Sequence, residues 1–151
     1  YSLTDNTFVR PPATTATSTL DISENAREFI ARKNLTNYYY DSFGERITWW
    51  EGRQISIRWL RGEEFLPLYT DDLESVIFTG DYDVRDVQFY PAQDAVIAAF
   101  ANQLAVIELD GRSHRNIYPL YKGREPSFVI SSDDKKIYIL DDGNVITLPL
   151  H

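Results

Sequence analysis

The sequence predicts an all-β protein of propeller-like, four-stranded antiparallel blades, and three observations carry that prediction. Aromatic side chains, which favour pleated and half-buried surfaces, are abundant: ten Tyr, eight Phe and three Trp make up 14% of 151 residues. From Leu35 onward apolar and polar residues alternate with a period of two. In Gln54–Leu60, for example, Ile55, Ile57 and Trp59 share one face while Ser56 and Arg58 share the other. The chain also repeats itself. Ile55–Gly62 lies over Leu104–Gly111 forty-nine residues on, the same offset sets Tyr40 over Phe89, and Val145–Leu150 lies over Leu104–Leu109 at forty-one. Units of roughly 40–50 residues, each read as four strands, point to propeller blades.

Residues 1–22 form an extended arm, because Pro11–Pro12 followed by a Thr/Ala/Ser tract favours polyproline-like, solvated backbone. Two readings of the arm stay open. It is a linker, or its Thr17–Ile22 stretch, with Leu20 inside it, supplies an edge strand to a sheet formed elsewhere. Residues 23–34 read as a short helix. Ser23 is a good N-cap, Glu24 suits the first turn, Arg32 and Lys33 suit the last, and Ala26, Phe29, Ile30 and Lys33 fall on one side. The other reading of that piece is an irregular loop with one helical turn.

Residues 35–151 divide into blades at 35–83, 84–123 and 124–151, the last of them incomplete with three strands. In the first, strands are expected at Thr36–Tyr40, Arg46–Glu51, Gln54–Leu60, Phe65–Tyr69 and Ser75–Thr79, with Gly52 supplying a positive φ in the turn Glu51–Arg53. An extra segment at Asp71–Gly80 accounts for the longer first interval. Val84–Tyr90, Ala95–Phe100 and Leu104–Leu109 follow in the second blade. In the third, Phe128 lies in a strand, Lys136–Leu140 and Val145–Leu150 are strands, and Asp142–Gly143–Asn144 is the hairpin turn. Three blades do not close a ring, since propellers use about four to eight. The ring is therefore expected to be completed by other segments or chains, the uncovered edge being one that proteins normally protect. The start at Tyr1 and the lack of Met read as a processed form, a fragment or the ordered part of something larger.

Composition excludes several functions. A formal net charge of −8 repels phosphate backbones, so nucleic acid is not an expected partner. No run of about 18 apolar residues is present to span a membrane. With no Cys there is no disulfide, thiolate nucleophile or Cys-ligated metal, which fits an envelope or extracellular protein that folds without cross-links.

Four stretches together, Tyr40 with Glu45–Leu60, Val84–Ala99, Leu104–Gly123 and Pro126–Leu150, resemble WD-like, Tol-type propeller repeats, and in particular the propeller region of PEGA-domain proteins of bacterial cell envelopes. The resemblance covers about residues 35–150. Its most specific parts are Phe89–Tyr90–Pro91, Ile107–Gly111 and Ser132–Lys136. The Trp-Asp and Gly-His dipeptides of true WD repeats are absent, as is any PEGA-like stretch. What the resemblance implies is a non-enzymatic surface or scaffold propeller, with no catalytic residue carried over.

Catalysis has little to work with. There is no Gly-x-Ser-x-Gly, His151 is terminal, and His114 sits in the charged loop Gly111–Arg115, where a solvated imidazole is expected. Paired acids at Asp71–Asp72, Asp133–Asp134 and Asp141–Asp142 stand at turns, where Asp caps its own backbone. Asp81, Asp83 and Asp86 lack the remaining positions of a calcium loop and read as a hydrated acidic loop. No cofactor is implied. Trp49 and Trp50 are adjacent on one strand and must point to opposite faces, so one packs inside and the other, with Arg53, is a candidate surface for a partner or a glycan. The expected function is a structural or protein-interaction module that self-associates or binds protein partners through sheet edges, in which Thr17, Leu20 and Ile22 take part. Carbohydrate or ligand binding is the alternative, and an enzyme ranks last.

Overall fold

The computed structural model of the chain describes residues 2–4, 7–9, 22–91, 94–112, 114–131 and 135–150. Two short strands, β1 (Ser2–Thr4) and β2 (Thr7–Val9), pair with each other. Thr17 and Leu20, and with them all of the candidate edge strand except Ile22, lie outside the described residues.

A helix, α1 (Glu24–Lys33), follows. The Ser23 hydroxyl accepts the Ala26 N–H, and Asn34 closes the other end in the left-handed region, its N–H donating to Ala31 and Ile30. Ala26 and Phe29 are buried.

The rest is mostly β, in three antiparallel sheets whose strands run in chain order. The first holds β3 (Tyr38–Asp41), β4 (Arg46–Glu51), β5 (Gln54–Trp59) and β6 (Glu74–Thr79). The second holds β7 (Asp86–Phe89), β8 (Ala95–Ala99), β9 (Gln103–Glu108) and β10 (Ile117–Lys122), and the third holds β11 (Ser127–Ser131), β12 (Lys136–Asp141) and β13 (Asn144–Pro149). Ile55, Leu104 and Val145 thus sit on the third strand of their respective sheets. Tyr40, Phe89 and Phe128 sit on the first.

Alternation assigns each face. On the first sheet Tyr38, Tyr40, Ile47 and Trp49 meet α1, while Tyr39, Trp50, Ile55, Ile57 and Trp59 meet the second sheet. On the second sheet Val96, Ala98, Ala105 and Ile107 face the first, and Ile97, Ala99 and Leu104 face Phe128, Ile137 and Ile139 of the third. The same backbone bonds recur at both ends of the sheets. Leu60, Leu109 and Leu150 each donate their N–H to the residue just before the second strand or its turn: Glu45, Asp94 and Lys135, at 2.9, 2.9 and 2.8 Å. Gly80 and Val84 donate to Arg53 and Gly52, as Gly123 and Glu125 donate to Asn102 and Ala101.

Two expectations are corrected. Phe65–Tyr69 is not a strand: Glu63–Phe65 is a 3-10 turn, and a second turn is closed by the Thr70 N–H on the Pro67 carbonyl. Pro67 has no N–H to give a ladder, and β5 is paired directly by β6. Nor is Asp71–Gly80 the inserted segment, since it contains β6. The added length lies mainly between β5 and β6, residues 60–73, against 109–116 between β9 and β10. Among the described residues no helix is long and apolar enough to cross a membrane.

Candidate interaction site on the third sheet

Lys136, Tyr138 and Leu140 of β12 are two residues apart and so share a face. Their register partners Pro149, Thr147 and Val145 on β13 join them there, as does Val129 opposite Tyr138 on β11. This is the face turned away from the second sheet. Val145 is 56% exposed on it, while Val129 is buried. Asp86 borders it, with Arg85 donating to the Pro126 carbonyl at 3.4 Å beside it.

The same sheet ends on an open edge. β13 has one neighbour, β12, among the described residues. The turn Asp142–Gly143 sets the register at Asp141–Asn144, and ladder alternation then points the N–H and C=O groups of Val145 and Thr147 outward. Asn144–Pro149 carries no charge to guard that edge. Each outer strand carries a proline, Pro149 at the end of β13 and Pro119 at a bulge in β10, so the outward N–H groups of β13 are those of Val145 and Thr147.

A second feature is an open cleft of about 700 Å³ lined by Tyr69, Tyr90, Tyr118, Asp94, Glu108, Asp110 and Arg112. Its polar groups hold one another. Arg112 grips Asp110 through two bonds of 2.7 and 3.1 Å and donates its own N–H as well. Those bonds pull the Asp110 carboxyl down from its ordinary 3.8 to about 2. Glu108 accepts from the Asn116 amide at 2.8 Å and the Tyr118 hydroxyl at 3.2 Å; desolvation first, then that bond, raises the Tyr118 phenol. The Tyr69 hydroxyl is buried, and burial followed by the nearby carboxylate of Asp94 pushes its pKa up strongly.

The residues singled out from sequence fall elsewhere. Trp50 is buried between the first and second sheets. Trp49 lies half-buried against α1, edge-on to Phe29 at 5.4 Å with the Lys33 ammonium 5.9 Å from its ring. Arg53 is exposed in the turn, 3.6 Å from Asp83. Ile22 packs against the α1 core and is not in a strand. Asp86 accepts from Gln88, and among the described residues no three acidic or imidazole side chains gather to hold a metal. His114 is exposed. The tyrosine cleft escaped sequence reading because its members come from four separate segments, joined only by the way strands and loops meet at one end of the second sheet. Compared with known proteins, the chain matches no family model, and no curated protein matches it.

Proposed function

We propose that this chain is a non-enzymatic interaction module, a set of propeller-type blades that associates through the third sheet. The observation that carries the reading is the β13 edge, which is uncharged and has β12 as its one neighbour among the described residues. The recurrent Leu60, Leu109 and Leu150 bonds support the blade description, since the sequence copies superpose on those residues. A blade packs face to face with a neighbour on each side, and the third sheet has one such neighbour among the described residues. The setting we assign with it, the bacterial cell envelope or extracellular space, follows from the resemblance and from a fold that uses no Cys. Light scattering on the full chain over a wide concentration range tests association. A defined multimer or a polymer is expected, whereas a particle of 17.5 kDa at every concentration overturns it.

A second reading, carbohydrate binding, is favoured by the tyrosine-lined cleft, where rigid polar pairs stand beside aromatic faces. Neutral disaccharides titrated while tyrosine fluorescence is followed distinguish it. A saturable change lost in Tyr118→Ala supports the cleft as a sugar site, and no change across the panel removes the reading.

A further inference from the structure

Three other strand edges are occupied or guarded. On β11, ladder alternation turns the Phe128 carbonyl away from β12, and the Gln88 amide on β7 donates to it at 3.4 Å. β6 carries Glu74, and its Val76 carbonyl accepts from Arg115 at 3.3 Å. β10 carries Lys122 and the bulge at Pro119. β13 differs. Asn144–Pro149 holds no charge, and β12 is its one strand neighbour among the described residues.

The outward groups of β13 are complementary to themselves. Val145 and Thr147 present N–H and C=O, and Pro149 presents a C=O alone. When the strand lies antiparallel to an identical one with Thr147 opposite Thr147, the two threonines exchange both bonds. Each Val145 N–H then meets the Pro149 carbonyl of the other strand, so no outward N–H is left over. Side chains match as well. On one face threonine stands beside threonine and exposed Val145 beside exposed Pro149. On the other, Ile146 stands beside Leu148, both already partly buried against the core shared with the second sheet. A slip of two residues also pairs every N–H but sets Asn144 opposite Leu148. We propose that β13 of one chain pairs antiparallel with β13 of a second copy in the Thr147-centred register, joining the two third sheets into one continuous sheet. This rests on the association reading above and names its partner. A net charge of −8 on each chain repels a second copy, and an uncharged seam is where two copies approach at least cost. A strand paired with its own copy is an isologous contact, so assembly closes at a dimer.

The chain has no Cys, so single cysteines report the register, with circular dichroism to verify folding of each variant. Thr147→Cys is expected to give a covalent dimer under mild oxidation, because the two positions face each other within disulfide reach. Val145→Cys is expected to stay uncross-linked, its two copies lying roughly 14 Å apart along the strands. Thr147→Glu, at an exposed position, is expected to lose affinity for itself about fivefold. Mixing it with Thr147→Lys is expected to restore pairing, since opposite charges then face each other across the seam. In light scattering the unmodified chain is expected to reach twice 17.5 kDa and no more. If it assembles but Thr147→Cys does not cross-link, or Val145→Cys cross-links as readily, or the particle grows beyond a dimer, the edge pairing is wrong while association stands. Unchanged assembly of Thr147→Glu has the same meaning. A monomeric unmodified chain sinks both.

Discussion

Arg46 stands where two rings and two carboxylates meet. Its guanidinium lies 4.4 Å from the centre of Phe89 and 5.6 Å from that of Trp59, with Asp41 at 2.8 Å and Asp94 at 3.6 Å. The Asp41 pair is 12% and 19% exposed, so this cation helps join the first sheet to the second instead of decorating the surface. Asp110 and Arg112 make the opposite case, a pair in water whose effect shows in titration. A carboxyl lowered in the folded state contributes stability that is present above its ordinary value and is lost as pH falls through about 2. Replacing Arg112 by Gln removes the two guanidinium bonds and the charge and keeps the backbone N–H bond. A carboxyl-carbon NMR titration is expected to show the Asp110 midpoint rising from about 2 towards 3.8, and an unchanged midpoint in the variant refutes Arg112 as the cause.

Elements whose ends are set by local chemistry were legible before folding. Ser23 caps α1 where the sequence placed it, and Gly52 takes φ +54 in the β4–β5 turn. Asp142 and Gly143 have φ +47 and +78, as a two-residue turn matched to strand twist requires. An added Cβ at Gly143 meets nothing within 4 Å, so Gly143→Ala isolates backbone strain from crowding. The expected cost is about 1 kcal/mol, a fall of roughly 2–4 °C in Tm for a chain of this size, read by calorimetry. No fall in Tm refutes the strain argument. Phe65–Tyr69 misled because alternation in sequence does not say that one side will be buried. Pro67 withholds a ladder donor, and β6 already occupies the place beside β5.

At the scale of the molecule, covalent order and packing order coincide: sheets follow one another along the chain and pack in that sequence, α1 against the first, the first on the second, the second on the third. Gln88, buried, crosses from β7 to the Phe128 carbonyl at 3.4 Å, so even the polar bonds run between successive sheets. The third sheet has one packed neighbour among the described residues, and apolar surface exposed on it lowers its free energy by associating. The light-scattering prediction belongs to this scale. Assembly driven by burial of Val145 and by pairing at the uncharged β13 edge is expected to resist added salt. An assembly that dissolves completely in moderate salt refutes burial as the driving force.

By itself the sequence determined the strand period, the N-cap and turn residues, and the placing of Ile55, Leu104 and Val145 on strands. Each of these depends on residues close in sequence or on the identity of side chains. Tertiary structure alone decided which tryptophan is buried, that Trp49 is covered by α1, that Tyr69, Tyr90 and Tyr118 line one cleft, and that Phe65 and Leu68 face water. Those outcomes depend on which sheet lies against which face. Alternation sorts side chains into two sets, and only packing chooses which set is covered and by what.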